Sequence, residues 1–335
     1  MQNPERYAYI VGRVRALETN LMDNTALERL LDAKGAAESY RALNDFHFIA
    51  DYLSDYEVQD FQKVLHHSMR GMKDLLISMS PYPKVLNFLW YKYDFHNLKL
   101  VLKAKITNRG YEDVSHALMD LGTVSLESFE KYLLEGTPVE LTKDLNSIVK
   151  KAEEAYEKEQ NPHVIDIIVD QYYLNELRAI VDETNSTMLS NYYSRMIDIS
   201  NLKAFIRSKE LKKDTAYLAK VLVSGGHVDL ETFISTFERG YDELKQALMA
   251  RMHAEDLVIA LEEFASEKTL LSLEKKAAER QQYFMNESQK IAFGPEPVFA
   301  FFYRFENQLQ IVRAVLVGKL NKLPAEEIQQ NVYSL

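Results

Sequence analysis

The chain has 335 residues, no cysteine and a formal charge of −10 at pH 7, with 47% apolar and 27% charged residues. Its 11 glycines and 8 prolines are about half of the roughly 40 that average usage would supply in this length. These figures exclude a disordered or fibrous chain, a disulfide scaffold, thiolate metal sites, thiol catalysis and the turn-rich β-sandwich, propeller or doubly wound α/β folds, and the acidic balance opposes unassisted binding to nucleic acid or anionic lipid.

The predicted elements are all helical. A first helix is expected near Tyr7–Leu21, carrying Arg13 and Arg15. Over Ala26–Leu43 the series Leu27, Leu30, Leu31, Ala37, Tyr40 and Leu43 marks one helical face, and Leu257, Leu261, Phe264 and Leu271 do the same later. Pro81 and Pro83, Asn161-Pro162, and Gly294-Pro295-Glu296-Pro297 each precede a long helical pattern, because proline lacks an amide donor and suits only a helix start. Gly110, Gly122, Gly136 and Gly225-Gly226 are read as helix ends. No stretch reaches the roughly 18 apolar residues of a membrane span, and Val298–Tyr303 is stopped by Arg304. The first residues lack the basic-then-apolar order of a signal peptide, so a cytoplasmic location is expected.

The chain repeats internally. Asp94, Asn97, Leu98 and Lys99 recur 104 residues later as Asp198, Asn201, Leu202 and Lys203. Lys103 and Lys105 fall on Arg207 and Lys209 in the same register, and the stretch from Gly122 to Phe129 falls on that from Gly226 to Phe233. One register held over two separated motifs is not expected of two merely helical segments. A more degenerate third copy follows at a further 110 residues, with Gln308 for Asp198, Ile311 for Asn201, Arg313 for Lys203 and Lys319 for Lys209. The phasing is an N-terminal helix in residues 1–23 and repeats over 24–123, 124–227 and 228–335. Units of this kind pack side by side, either closing around a pseudo-threefold axis or stacking into an open arc. The lead helix of the first copy is expected to supply the closing contact with the C-terminal segment.

The catalytic inventory is thin. Gly318-Lys319 lacks the rest of a phosphate loop, and no His-Glu-x-x-His occurs. His66 and His67 would point about 100° apart on a helix. Glu153-Glu154 and Glu262-Glu263 sit in charged runs that read as salt-bridged faces. No cofactor and no metal site is read. Asn97 and Asn201 lie amid apolar neighbours, where their amides are expected to bond backbone groups of a neighbouring segment; the alternative is a shared surface that receives a partner. Lys103, Lys105, Arg207 and Lys209 fall in last turns, where cations meet the negative end of the helix dipole.

The opening Tyr7-Ala8-Tyr9 followed by Arg13-Val14-Arg15-Ala16-Leu17 resembles the signature of the C-type subunits of the V-type/A-type ATPases (ATP synthases), whose eukaryotic counterpart is the d-type subunit of the V-ATPase. The Asp94 to Lys99 element and the stretch from Phe293-Gly294-Pro295 through Arg313 to Pro324 are similar to that family too, so the resemblance covers essentially the whole chain. It implies an all-α, funnel-shaped protein of three similar lobes with pseudo-threefold symmetry and no catalytic activity of its own. It further implies a central-stalk socket on the cytoplasmic face of the membrane, joining the central-axle subunits (D/F type) to the proteolipid rotor ring for hydrogen ion or sodium transport, or for ATP synthesis. The family commonly carries Asn-Leu-Arg in the third copy, where this chain has Ile311-Val312-Arg313. Within that resemblance the candidate partner-interface residues are Asn97, Lys99, Asn201, Lys203 and Arg313, with Arg13 and Arg15. A helical-repeat adaptor for a peptide or protein partner, and an all-α enzyme with a buried carboxylate or histidine, are the competing classes.

Overall fold

The computed structural model describes residues 3–333 apart from His253 and Lys268, and leaves aside the side chains of Leu271, Ser272, Gln330, Asn331 and Tyr333. Every regular element among the described residues is helical, so the fold is all-α. The chain opens with α1 (Ala8–Glu18), α2 (Asn24–Asp32), α3 (Ala36–Ala42), α4 (His47–Leu53) and the long α5 (Phe61–Met79). A longer set follows: α6 (Asn87–Ile106), α7 (Tyr111–Ser115), α8 (Leu126–Glu135), α9 (Leu145–Glu159) and α10 (His163–Thr184). It recurs as α11 (Thr187–Glu210), α12 (Thr215–Val221), α13 (Leu230–Thr236), α14 (Tyr241–Met249), α15 (Glu255–Glu267) and α16 (Leu271–Glu287), and begins a third time with α17 (Glu296–Leu320) and α18 (Ala325–Tyr333).

Local chemistry accounts for the boundaries. Asp23, Ser125, Ser186 and Asp214 each accept a hydrogen bond from the first turn of the helix they precede, satisfying one of its orphan amides. Pro162 and Pro295 stand at the starts of α10 and α17, as their missing donors require. Three glycine readings change. Gly110 caps the start of α7, while Gly122 and Gly226 sit in loops for a reason given below. The face read over Ala26–Leu43 is carried by two helices, because the chain leaves helical geometry at Ala33 and restarts after Gly35. Ser39 Oγ donates to the Leu30 carbonyl across that break, at 3.0 Å.

The three long helices α6, α11 and α17 end alike. Thr107 N donates to Lys103 O and Arg109 N to Ala104 O; Leu211 N and Lys213 N donate to Arg207 O and Ser208 O; Asn321 N and Leu323 N donate to Val317 O and Gly318 O. The residue between each pair of donors is left-handed, with φ of 52° at Asn108, 52° at Lys212 and 56° at Lys322. This is one helix-ending motif built three times, at the 104- and 110-residue spacings seen in the sequence.

By packing, the chain divides into two compact units, Lys84–Arg280 and the residues up to Pro83 together with those from Gln281 onward. The first unit holds the α6 and α11 sets as far as Arg280, within α16. Phe205, Phe233, Phe237, Leu244 and Leu261 share its core, with the Phe205 and Phe237 rings edge-on at 5.2 Å. The second unit brings the two ends of the chain together, with α1 and α5 both packed on α17. The helix that opens the first copy, α2, packs on α17 and α18 as well, so it does meet the C-terminal segment. The division follows packing and the phasing follows recurrence, so the two cut the chain at different places.

All three long helices carry large side chains into the core: Trp90, Phe205, Phe301 and Phe302 are fully buried. Truncating any of them to alanine removes about 3–5 kcal/mol. Replacing Lys212 by glycine acts in the other direction. Glycine adopts the left-handed conformation without a Cβ clash, which outweighs its greater freedom in the unfolded chain, so Lys212→Gly should raise the unfolding free energy by a few tenths to about 1 kcal/mol in urea titration.

Candidate functional site

The repeated polar residues form the same anchor in the α6 and α11 sets. The Asn97 amide holds the backbone of one residue on both sides, donating to Met119 O at 2.7 Å and accepting from Met119 N at 2.8 Å. Asn201 does the same to Val223, at 2.8 and 2.9 Å. One turn earlier, the Asp94 carboxylate accepts from Thr123 N, Thr123 Oγ1 and Val124 N at 2.7, 2.8 and 3.0 Å. Asp198 accepts from His227 N and Val228 N, both at 3.0 Å, and from the His227 ring at 3.2 Å. Asp94, Asn97, Asp198 and Asn201 are all buried. A side chain at Gly122 or Gly226 would overlap the carboxylate, and this close approach is why glycine stands there. Burial raises the Asp198 carboxyl above its usual range, while the two backbone donors and His227 pull the other way.

The repeat register puts Ile311 where the third amide should be. The structure supplies the amide from Gln308, one turn earlier and one methylene longer. Its Nε2 donates to Met22 O and its Oε1 accepts from Met22 N, each at 3.0 Å. The held residue lies far away in sequence, which is why the periodicity of α17 alone did not reveal it.

The cations divide into paired and open. Lys99 meets Asp170 and Lys203 meets Glu274, each at 2.6 Å. Lys103 meets Asp166 at 2.6 Å and Lys105 meets Glu153 at 2.9 Å, so these last-turn lysines face carboxylates as well as the helix dipole. The hydrogen bond to Glu153 raises the Lys105 ammonium, and burial pushes the adjacent Tyr132 hydroxyl up to about 12. Lys105, Lys209 and Lys319 all reach toward the end of a short helix. Lys105 lies over the Tyr132 ring at 4.7 Å, and Lys209 over Phe237 at 4.5 Å. Lys319 donates to Leu31 O at 2.9 Å and to Ala33 O, capping α2, and burial lowers its ammonium.

Arg15 is engaged within the chain. It pairs with Glu18 at 3.0 Å and donates to Ser288 O and Gln289 O at 2.9 and 3.2 Å. Arg304 completes this clasp, reaching Glu18 at 2.8 Å and Met285 O at 2.9 Å. Nothing in local sequence marks Glu18 and Arg304 as partners. Arg13 and Arg313 are exposed and, among the described residues, form no ion pair or hydrogen bond. Of the seven candidates, Asn97, Lys99, Arg15, Asn201 and Lys203 are thus held internally, and these two present their charge to solvent.

Other polar groups singled out in the sequence are paired within the chain. His67 stacks between Tyr52 and Tyr56 and bonds Tyr56 Oη at 2.8 Å. Glu262 pairs with Lys245 at 2.6 Å and Glu154 with Lys150 at 3.8 Å. Among the described residues no group of three or more His, Asp or Glu side chains is placed to hold a metal ion, and no helix is long and apolar enough to cross a membrane.

Known proteins resemble the chain along its whole length. The family model described as the ATP synthase (C/AC39) subunit matches residues 10–331. The chain is 24% identical to the C-type subunit of the A-type ATP synthase of Methanocaldococcus jannaschii, covering 98% of this chain and 86% of that protein. It is 24% identical to the C-type subunit of the V-type sodium ATPase of Enterococcus hirae, covering 95% of each. For the C-type subunit of the V-type ATP synthase of Deinococcus radiodurans the identity is 23%, over 98% and 92%.

The anchor yields a stability test. Asp94→Asn turns an amide donor toward amides that need an acceptor, and Gly122→Ala drives a methyl into the same carboxylate. Each should lower the unfolding free energy by about 1–3 kcal/mol. Because both break one contact, the double variant should lose clearly less than the sum in a denaturant-based cycle.

Proposed function

The chain belongs to the ATP synthase (C/AC39) subunit family, and we propose that it is the non-catalytic socket of a rotary ATPase, gripping the central axle on one side and the proteolipid rotor ring on the other. The observation that carries this reading is the extent of the match, which runs from residue 10 to residue 331. A family likeness confined to one helix pair would speak only for a fold. A match over all three copies speaks for the role that depends on the whole body.

The physical task is one of mismatched symmetry. A ring of many equivalent subunits and a slender axle share no symmetry element, so a coupling piece must hold each through broad, rigid surfaces. Three copies of one helical set, arranged as a three-lobed funnel about a pseudo-threefold axis, would suit that task. ATP would be hydrolysed or made elsewhere in the complex, and this protein would pass torque while lying peripherally on the cytoplasmic membrane face. Support comes from the anchors themselves. In the α6 and α11 sets the long helix grips the loop beside it with buried, hydrogen-bonded Asp and Asn side chains, and such networks resist deformation.

The test is made in membranes of the source cell. A tagged chain recovered from detergent-solubilised membranes should bring the ring and axle subunits of a rotary ATPase with it. Its depletion should abolish ATP-driven ion transport in vesicles while the detached head continues to hydrolyse ATP. Recovery of the chain with peptide-bearing partners and no ATPase subunit would replace this reading with the adaptor.

A further inference from the structure

Lys99, Lys203 and Arg313 hold the same register in the three copies, yet only two of them are satisfied inside the chain. The partners Asp170 and Glu274 each stand 71 residues after their lysine. They lie on α10 and α16, the helices that close the first two sets. In the third set that position belongs to α5, which packs on α17. The residue of α5 lying 104 before Asp170 is His66, and the one lying 104 before Asp166 is Gln62, so neither corresponding position carries a carboxylate. The helix bearing Arg313 supplies none either: Leu309, Gln310, Leu316 and Val317 occupy the positions three and four residues away.

The residue type changes together with the partner. Where the acid is internal the cation is lysine, a point charge. Where no acid is present it is arginine, whose planar fork of N–H donors grips a carboxylate in a defined orientation and is enriched at protein interfaces. Gln310, Arg313, Ala314 and Val317 share one exposed or half-exposed face of α17, which offers a partner helix a charged centre with small and apolar neighbours.

We propose that Arg313 is a docking residue for a carboxylate on a helix of the axle subunits, and that this carboxylate takes the place held by Asp170 and Glu274 in the other two copies. The proposal rests on the socket reading and narrows it, since it sets aside Lys99 and Lys203, whose charges are already engaged.

Titration of the full chain with the purified axle subunits of the same complex tests it. Arg313→Glu should weaken binding by about tenfold or more and flatten its salt dependence, as loss of an interfacial charge pair does. Arg313→Lys should keep most of the affinity. His66→Glu should also weaken binding, by pairing Arg313 within the chain, whereas His66→Gln should leave it unchanged. Thermal unfolding of each variant establishes that the fold is retained. Wild-type affinity in Arg313→Glu would overturn the docking alone. Absence of any axle binding by the wild-type chain would overturn the socket reading, and the docking with it.

Discussion

One contact recurs wherever the structure has to be held in register: a side-chain amide from a long helix clamps a single loop residue by both its N–H and its C=O. Asn97 on Met119, Asn201 on Val223 and Gln308 on Met22 are its three instances. A buried loop peptide without partners would cost several kcal/mol, and so would a buried amide. Each satisfies the other, so the contact is nearly neutral when made and expensive when missed. That asymmetry gives it the power to select one arrangement. The helices that follow the loops, α8, α13 and α2, have 10, 7 and 9 residues. Helices this short do not persist alone in water and depend on being positioned.

Other choices follow from the clamp. Once the loop is drawn against the helix, its backbone amides point at Asp94 or Asp198, and the residue before them has no room for a Cβ. The capping residues Ser125 and Asp229 come directly after the clamped amides, so the loop that is anchored also starts the next helix. Lysines in the last turn of the long helix then reach the far end of that short helix. Aromatic rings receive Lys105 and Lys209, and bare carbonyls receive Lys319. The same task is met with different groups because each site asks only for something that accepts a cation.

Copying with exceptions also describes the charges. Two copies close the seam between long helices with an internal ion pair, and the third leaves an arginine facing solvent. A carboxylate shared by two arginines also fastens α17, as Asp256 with Arg195 and Arg280 fastens α11. Glu18 receives both Arg15 and Arg304, and the two guanidiniums also take carbonyls at the end of α16 and just beyond it. In the α6 and α11 sets the clamped loop and the short helix come later in sequence than the helix that holds them. For α17 they come from the segment around Met22 and from α2, so the N-terminal segment plays the part that a following segment plays elsewhere.

The all-α class, the spacings of 104 and 110 residues and the family were legible before any coordinates, because each is written in short-range pattern: helical periodicity, the scarcity of glycine and proline, and motifs read within one element. The reading of Asn97 and Asn201 as backbone anchors was available for the same reason, since an amide amid leucines has few other uses. Three features needed the folded chain: Gln308 replacing the missing third asparagine, the clasp of Glu18 with Arg304, and the identity of the cations that stay open. The first two join residues 286 positions apart, and no local period encodes a pairing of that length. Repetition specifies what each copy contains. Where a copy takes its loop from a distant part of the sequence, packing alone decides which segment completes it.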